Sequence, residues 1–187
     1  MTTDSPPNFS PSEQQLRDAM VQHLIESGAA RSPRVVAAFR KVPRHLAAPE
    51  ATMAKSYDAE SALVTKTDAD GMDISSVSAP RIQALQMEQA DIHPGMNVLE
   101  IGSGGVNAAY LAELVGDHGR VVTMDIDPEV TQRATHFLKS AGYRNVTVLT
   151  GDGGGGATDF QPFDRIIVTV QAADIPTTWV HQLTTGG

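Results

Sequence analysis

The segment Asn97–Asn107, NVLEIGSGGVN, constrains the fold of this chain more than any other stretch. A short apolar run reaches the acidic residue Glu100, Gly102 and Gly104 follow at once, and a helical pattern, AAYLAEL, then begins. A strand that enters a glycine turn at a helix N-terminus forms a small cleft. Glycines let a ligand approach the backbone there because they carry no Cβ atom. The segment therefore predicts a strand–loop–helix corner with a ligand site.

A second acid lies where a nucleoside ligand would need it. Asp125 follows Gly104 by 21 residues and lies in a second apolar run, VVTMDID, where a carboxylate can accept both ribose hydroxyls. Dinucleotides and S-adenosylmethionine both suit this layout. The dinucleotide fingerprint requires a third glycine, at the position that Asn107 holds, and the Glu100 carboxylate suits a pyrophosphate poorly. The sulfonium and ammonium groups of S-adenosylmethionine suit that acid, so we favour this cofactor over a nicotinamide and over a plain corner without a ligand.

Composition and charge narrow the class of protein. The 187 residues are enough for one domain with a buried core, and 41% of them are hydrophobic, without an apolar run as long as a membrane span. The chain has no cysteine, which excludes disulfides and thiolate zinc sites and fits a cytoplasmic enzyme. A formal charge of −8 without a basic stripe argues against a nucleic-acid partner. The six histidines are scattered, with no pair four residues apart, so we expect no metal site.

The part of the chain that precedes the regular pattern predicts helices and loops. Apolar residues recur at helical spacing in two stretches, each with a serine at its start, whereas the following stretch has weak periodicity. We predict a disordered tail over residues 1–11, a helix over Ser12–Ser27 that stops at Gly28, a helix opened by Ser32-Pro33, and loops over Pro43–Asp73 with one short strand around Ala62–Thr65 and a turn or mobile loop at KTDADGMD.

From Ser78 onward, strands and helices alternate, which predicts a parallel sheet with helices on both faces. We predict strands over Asn97–Ile101, Arg120–Ile126, Val146–Thr150 and Phe163–Val170, and helices capped by Ser78-Ala79-Pro80, over Ala108–Val115, and from the Asp127-Pro128 cap to Gly142. Ligands of such sheets bind at the carboxyl ends of the strands, where Glu100, Asp125 and Asp152 are all expected. The chain stops at QLTTGG, where a doubly wound sheet would continue, so we expect that C-terminal strands are missing.

Several segments together resemble the protein-L-isoaspartate O-methyltransferase family. They are VVAAFRKVPRHLAAPE, SVSAPRIQALQMEQ, VLEIGSGGVNAAYLAEL, MDIDPEV, NVTVLTGDG and FDRIIVTVQAADIP, and the match covers roughly residues 13 to 187. KTDADG followed by SSVSAPRIQAL is similar to the branch found beside lanthipeptide-type peptide biosynthesis, the FxLD-system methyltransferases. The resemblance implies an α/β, Rossmann-like class I methyltransferase fold, with N-terminal helices and loops over residues 12–77 and an S-adenosylmethionine-binding core over residues 78–187.

The resemblance also implies roles for individual residues. Ser78 matches the active-site serine, and the cofactor-binding positions are Ser76, Val77, Glu100, Gly102, Ser103, Gly104, the ribose-binding Asp125, and Asp152 and Gly153 beside the adenine. Two departures lie near the substrate side. The loop GSGGVN is one residue shorter than the family's G-T-G-S-G-Y-N, and DISSVS replaces the usual G-Q-T-I-S approach. From spacing alone, Ser78 is better explained as the cap of the helix that Pro80 begins, whereas the resemblance favours the active-site role.

The expected activity is methylation of an aspartyl or isoaspartyl carboxylate in a peptide or protein. Such a carboxylate has a pKa of about 4 and is ionised at pH 7, so the reaction needs no general base. The absence of an obvious catalytic His–Asp pair fits this chemistry. Damage repair and tailoring of a ribosomal peptide are both open, and KTDADG and SSVSAP favour tailoring. The alternatives are a nicotinamide-dependent oxidoreductase and an inactive fragment.

Overall fold

The computed structural model describes residues 11–102 and 104–187. The predicted tail over residues 1–11 lies outside this range, apart from Pro11, and so does Ser103. In chain order, the helices are α1 (Glu13–Glu26), α2 (Pro33–Lys41), α3 (Met53–Ser56), α4 (Pro80–Ala90), α5 (Val106–Val115), α6 (Pro128–Ser140) and α7 (Thr177–Gln182), and the strands are β1 (Leu63–Thr67), β2 (Asp73–Val77), β3 (Asn97–Ile101), β4 (Arg120–Asp125), β5 (Val146–Thr150) and β6 (Arg165–Val168). Short 3-10 turns cover Arg44–Ala47, Gly153–Gly155 and Thr158–Phe160.

Four strands form the parallel sheet that the alternating pattern predicts. Their spatial order is β5-β4-β3-β6, and all three neighbouring pairs are parallel. The chain therefore builds the sheet outward in one direction from β3 to β5 and then returns to the other side of β3 with β6. Ligands of doubly wound sheets bind at this reversal, at the carboxyl ends of the strands. The fold positions a crevice between the end of β3 and the end of β6.

The bounds of the core elements agree closely with the prediction. β3 and β5 have the predicted bounds, and α6 begins at Pro128 with Asp127 as its N-cap. Other bounds differ by a few residues: α5 begins at Val106 instead of Ala108, β4 and α6 end earlier, at Asp125 and Ser140, and β6 covers Arg165–Val168 instead of Phe163–Val170. Helix α7 was not predicted, because its six residues are too few to show a helical period.

The segment over Pro43–Asp73 is more ordered than the sequence predicts. It contains α3, and β1 pairs with β2 in an antiparallel hairpin. KTDADGMD supplies the turn of this hairpin, where an Asp68 side-chain oxygen accepts the backbone N–H groups of Asp70 and Met72 at 2.9 and 2.8 Å. Only Leu63 and Val77 are buried in the two strands. A hairpin with so few buried side chains lacks the alternation of apolar and polar residues that reveals a strand, which explains the missed β2.

Helices and turns cover the two faces of the sheet with separate apolar clusters. On one face, Val98 and Val121 pack beneath α1, α2, α4 and α5. On the other face, Leu99 and Val122 pack with Phe163 and Trp179. Phe39 of α2 stacks on Tyr110 of α5 with ring centroids 3.9 Å apart, which joins the N-terminal helices to the core. Because side chains alternate along β3, Glu100 points to the same face as Val98, beneath the N-terminal helices.

Asp164 fixes the start of β6 against the start of β3. Its carboxylate accepts the backbone N–H of Asn97 at 2.8 Å. Asp164→Ala removes that acceptor and leaves a partly buried N–H without a partner, so we expect the free energy of unfolding to fall by about 1–3 kcal/mol. Chemical denaturation measures the change. The exposed Asp159, which makes no side-chain hydrogen bond within the described residues, gives the control Asp159→Ala, and equal stability of the two variants would contradict the role of Asp164.

Candidate active site

A cavity of about 470 Å³ lies at the carboxyl ends of the central strands, and we term it the main cavity. One wall is β2 with the residue that follows it, and the opposite wall comes from the loops after β3, β4 and β6 and from the first turn of α5. This is the position that the strand order predicts for a ligand. Of the predicted site residues, the main cavity brings together Ser76, Val77, Ser78, Glu100, Gly102, Gly104 and Asp125.

A second cavity of about 350 Å³ adjoins the first, and we term it the side cavity. Predicted residues Asp152 and Gly153 line it, together with Trp179 of α7. The two cavities share a boundary formed by Gly102, Asp125, Ile126, Val170 and Gln171. All predicted site residues within the described range therefore lie around one continuous crevice, whereas Ser103 falls outside that range.

Glu100 lies one residue before the end of β3, a small correction to the predicted position at the strand end. Its side chain is fully buried and lines the main cavity. The Thr123 hydroxyl, on the neighbouring strand β4, donates to the Glu100 carboxylate. This contact fixes a carboxylate at the bottom of the main cavity, where it can attract a cationic ligand.

Two glycines between β3 and α5 lie where a Cβ atom would not fit, in addition to the ligand role that the sequence predicts for this loop. Gly102 has φ +91°, and a Cβ atom there would lie 2.2 Å from Cγ1 of Val170. Gly105, with φ +86°, is the N-cap of α5, and Val106 is the first helical residue. These positions fix where the helix begins after the loop. They also place Asn107 within the first turn of α5, where the dinucleotide fingerprint would need its third glycine.

Two further acids lie at strand ends as predicted. Asp125 is the last residue of β4, lines both cavities, and accepts the backbone N–H of Asp127 at 2.9 Å. Asp152 follows β5 and accepts the N–H of Gly154 at 2.9 Å. Beside it, a Cβ atom on Gly153 would lie 2.4 Å from Cγ2 of Ile101, so this turn is packed directly on the sheet.

Ser78 does not cap α4, so the predicted capping role is wrong. Pro80 is the first helical residue, which makes Ala79 the N-cap, and no side chain caps this helix. The Ser78 hydroxyl has no hydrogen-bond partner among the described residues, while its backbone carbonyl accepts from Arg44 at 3.3 Å. The serine side chain is therefore available to a ligand in the main cavity.

An ion pair anchors the hairpin to the loop after β4 and the start of α6. The Lys66 ammonium lies 2.6 Å from the Asp127 carboxylate and 2.8 Å from that of Glu129. Its hydrogen bond holds the pKa of Asp127 below the usual range. Because Asp127 follows Asp125 by two residues, the anchor fixes β2 opposite the loop that carries the predicted ribose-binding acid.

Sequence reasoning missed several residues that line the crevice. Ile126, Val170 and Ile74 are large apolar side chains with exposed fractions of 73%, 49% and 54%. Ile126 directly follows β4 and Val170 lies two residues after β6, and an apolar residue this close to a strand end is a signal that could have identified them. Gln83 and Asn107 also line the main cavity, and neither stands out in the sequence because each lies inside a helical pattern.

Residues 11–102 and 104–187 contain neither a cluster of metal-ligating side chains nor a membrane-spanning helix. No three His, Cys, Asp or Glu side chains in that range come together in a way that could hold a metal ion. No helix there has both the length and the apolar character needed to cross a membrane.

Comparison with known proteins identifies relatives along nearly the whole chain. The profile of the family described as protein-L-isoaspartate(D-aspartate) O-methyltransferase (PCMT) matches residues 14–187. Protein-L-isoaspartate O-methyltransferase of Ignicoccus hospitalis is 38% identical over 169 residues, which are 90% of this chain and 77% of the relative. The enzyme of the same name from Methanothermobacter thermautotrophicus is 40% identical over 179 residues, with 91% of this chain and 76% of the relative covered.

Solved structures give the same fold. A protein-L-isoaspartate O-methyltransferase structure that is 33% identical superposes with a TM-score of 0.83 over 91% of this chain, which spans 53% of that solved chain. A PCMT structure from Plasmodium falciparum, solved in complex with S-adenosyl-L-homocysteine, superposes with a TM-score of 0.78 at 15% identity and covers 95% of this chain and 82% of its own. The predicted α/β methyltransferase fold with a parallel sheet core is confirmed.

Proposed function

Since the chain belongs to the protein-L-isoaspartate(D-aspartate) O-methyltransferase family, we propose that it uses S-adenosylmethionine to methylate an isoaspartyl or aspartyl carboxylate of a peptide or protein. The observation that carries the proposal is the main cavity, in which Ser78 on one wall faces Glu100 and Asp125 on the other. The family match does not support the nicotinamide-dependent alternative. The absence of cysteine supports a cytoplasmic setting as part of the same proposal.

The residues around the crevice suit the cofactor chemically. Two carboxylates, Glu100 and Asp125, border a cavity with glycine backbone between them, and the cofactor carries two positive groups, a sulfonium and an ammonium. We assign Asp125 to the ribose hydroxyls and Glu100 to the cationic end. We assign the side cavity, with Asp152, Gly153 and the exposed Ile126, to the adenine, because an apolar wall favours a flat base. Gly102 and Gly104 line the cavity between these groups, Ser76 and Val77 complete the opposite wall, and Ser103 is assigned to the cofactor from the sequence pattern alone.

The proposed reaction requires alignment more than acid–base chemistry. S-adenosylmethionine supplies a methyl group on a sulfonium: the acceptor carboxylate oxygen bonds to the methyl carbon while the carbon–sulfur bond breaks, its electron pair stays on sulfur, and an ester and S-adenosylhomocysteine result without any proton transfer. The task of this chain is to orient the carboxylate and exclude water. The Ser78 hydroxyl can donate to a carboxylate oxygen from the β2 wall.

The hairpin residues support a more specific identity for the peptide that accepts the methyl group. β2 contributes five consecutive residues, Asp73–Val77, to the main cavity, and the hairpin turn is the KTDADG segment that is similar to the FxLD-system branch. The acceptor wall is thus built from the residues in which the chain departs from the family pattern. We propose that the physiological acceptor is an aspartyl residue of a cyclised ribosomal peptide.

Asp125→Ala is expected to weaken S-adenosylhomocysteine binding by about 1.5–3 kcal/mol, because it removes a charge-assisted contact to the ribose. Calorimetry gives the dissociation constants. The exposed Asp117, which lines neither cavity, provides the control Asp117→Ala with the same change of charge. Asp125→Asn retains an acceptor for the N–H of Asp127 and separates loss of charge from local disorder. Unchanged affinity in both Asp125 variants would remove this residue from the site.

Ser78→Ala is expected to lower methyl transfer to an isoaspartyl peptide while S-adenosylhomocysteine affinity stays nearly the same. The reason is that the hydroxyl is assigned to the acceptor. Its stability should also stay close to that of the parent, because Ser78 caps no helix. Ser32→Ala is the contrasting control: Ser32 caps α2 through the N–H of Val35, so its loss should cost about 1 kcal/mol without affecting transfer. Transfer at the parent rate in a folded Ser78→Ala variant would show that the hydroxyl does not orient the acceptor.

The choice between tailoring and repair is tested with two sets of acceptors. One set holds unrelated linear peptides with an isoaspartyl residue, and the other holds lanthionine-cyclised peptides with an aspartyl residue in the ring. We expect kcat/KM to be at least tenfold higher for a cyclised peptide than for any linear one, since a preformed ring loses less conformational freedom on binding. Similar kcat/KM values across unrelated linear isoaspartyl peptides, with no transfer to the cyclised set, would assign the enzyme to repair.

A further inference from the structure

Arg44 is a fully buried cation that lies behind the main cavity. Its guanidinium donates to Oε1 of Gln83 at 3.0 Å and to the backbone carbonyl of Ser78 at 3.3 Å. Within residues 11–102 and 104–187 no carboxylate lies at ion-pair distance from it, Asp58 interacts with it only at longer range, and its Nε atom has no hydrogen-bond partner. Burial of a charge without an opposite charge costs free energy, so a cation in this position needs an explanation.

The cation fixes the direction of a chain of side-chain hydrogen bonds. A guanidinium has donors only, so Gln83 must turn its oxygen towards Arg44 and its amide nitrogen away. That nitrogen donates to Oδ1 of Asn107, at the long distance of 3.4 Å. Asn107 must therefore present its own amide nitrogen at the far end. The chain Arg44–Gln83–Asn107 runs from a buried cation to a hydrogen-bond donor.

The last donor of this chain has no partner among the described residues. Nδ2 of Asn107 is buried and unbonded, and the side chain as a whole is 6% exposed. Asn107 and Gln83 both line the main cavity, as does Ser78, whose carbonyl the same guanidinium holds. Because buried donors in folded proteins nearly always have a partner, the free amide indicates a ligand group in the cavity.

The charge balance of the cavity indicates which group this is. Two carboxylates already line the cavity, Glu100 and Asp125, so a third would be repelled without a nearby cation. Arg44 supplies that cation, and a hydrogen bond to an ionised acceptor is about twice as strong as a neutral one. We propose that Nδ2 of Asn107 donates to a carboxylate oxygen of a bound ligand, and that Arg44 is a positioning residue that acts through Gln83.

This inference rests on the proposed function for the identity of the ligand, since two carboxylates enter that reaction. One belongs to the acceptor peptide and the other to the amino-acid end of the cofactor. Both present the same chemistry to Asn107. Two matched ligand pairs, which differ only in this group, distinguish them. The first pair is S-adenosylhomocysteine and its carboxamide. The second pair is an isoaspartyl peptide and the same peptide with a carboxamide, both titrated in the presence of saturating S-adenosylhomocysteine.

Asn107→Asp and Arg44→Met are the two test variants, because the first replaces the donor with a charged acceptor of the same shape and the second removes the cation. In both, we expect the dissociation constant of the carboxylate member of one pair to rise tenfold or more, and that of its carboxamide partner to change by less than about threefold. A selective loss in the S-adenosylhomocysteine pair assigns the site to the cofactor, and one in the peptide pair assigns it to the acceptor. Either result supports the proposal.

Gln83→Met is a third test variant, and Gln86→Met is its matched control. Both residues lie on α4, and Gln86 does not line the main cavity. Gln83→Met interrupts the chain at its centre and should reproduce the selective loss, which keeps the proposal testable if Arg44→Met does not fold. Equal weakening of carboxylate and carboxamide ligands, or no weakening, in Asn107→Asp and Gln83→Met would overturn it. A parent protein that binds both ligands without transferring methyl would contradict the proposed function, and the affinity ratios would still decide this inference.

Discussion

The end of β3 is held from both sides through Gly102, and the geometry of the crevice depends on this connection. The Gly102 N–H donates to the carbonyl of Met124 on β4 at 2.8 Å, and its own carbonyl accepts from the Thr169 hydroxyl after β6. Three strand ends are thereby fixed to one residue. No side chain fits at this point, because Val170 occupies the space that a Cβ atom would need. The bottom of the crevice is therefore closely packed and held by hydrogen bonds from two neighbouring strands.

Around this closely packed end, the two walls of the main cavity differ in construction. The wall from β3, β4 and α5 is part of the core, with Glu100, Val106 and Asn107 all buried. The opposite wall is a two-stranded hairpin outside the main sheet, which the Lys66 ion pair attaches to the start of α6. A wall within the core suits the proposed cofactor side, whereas a peripheral wall suits the proposed acceptor side.

Local signals made the core predictable from the sequence, and long-range contacts limited the prediction of the site. The bounds of β3 and the Asp127-Pro128 start of α6 follow from apolar runs and capping chemistry within a few neighbouring residues. The cap at Ser78 was wrong because proline at the first helical position moves the N-cap to Ala79. The chain through Arg44, Gln83 and Asn107 could not be predicted, since its members are 39 and 24 residues apart and no periodicity connects them.

The hairpin is only shallowly buried, so its sequence can change during evolution more readily than that of the sheet. Only Leu63 and Val77 of its two strands are buried, so most of its positions tolerate replacement at little cost to folding. Selection can therefore change the proposed acceptor wall by successive single substitutions while the sheet and the glycine loop stay fixed. If the hairpin contacts the acceptor as proposed, a library of hairpin variants offers a short route to new peptide specificities.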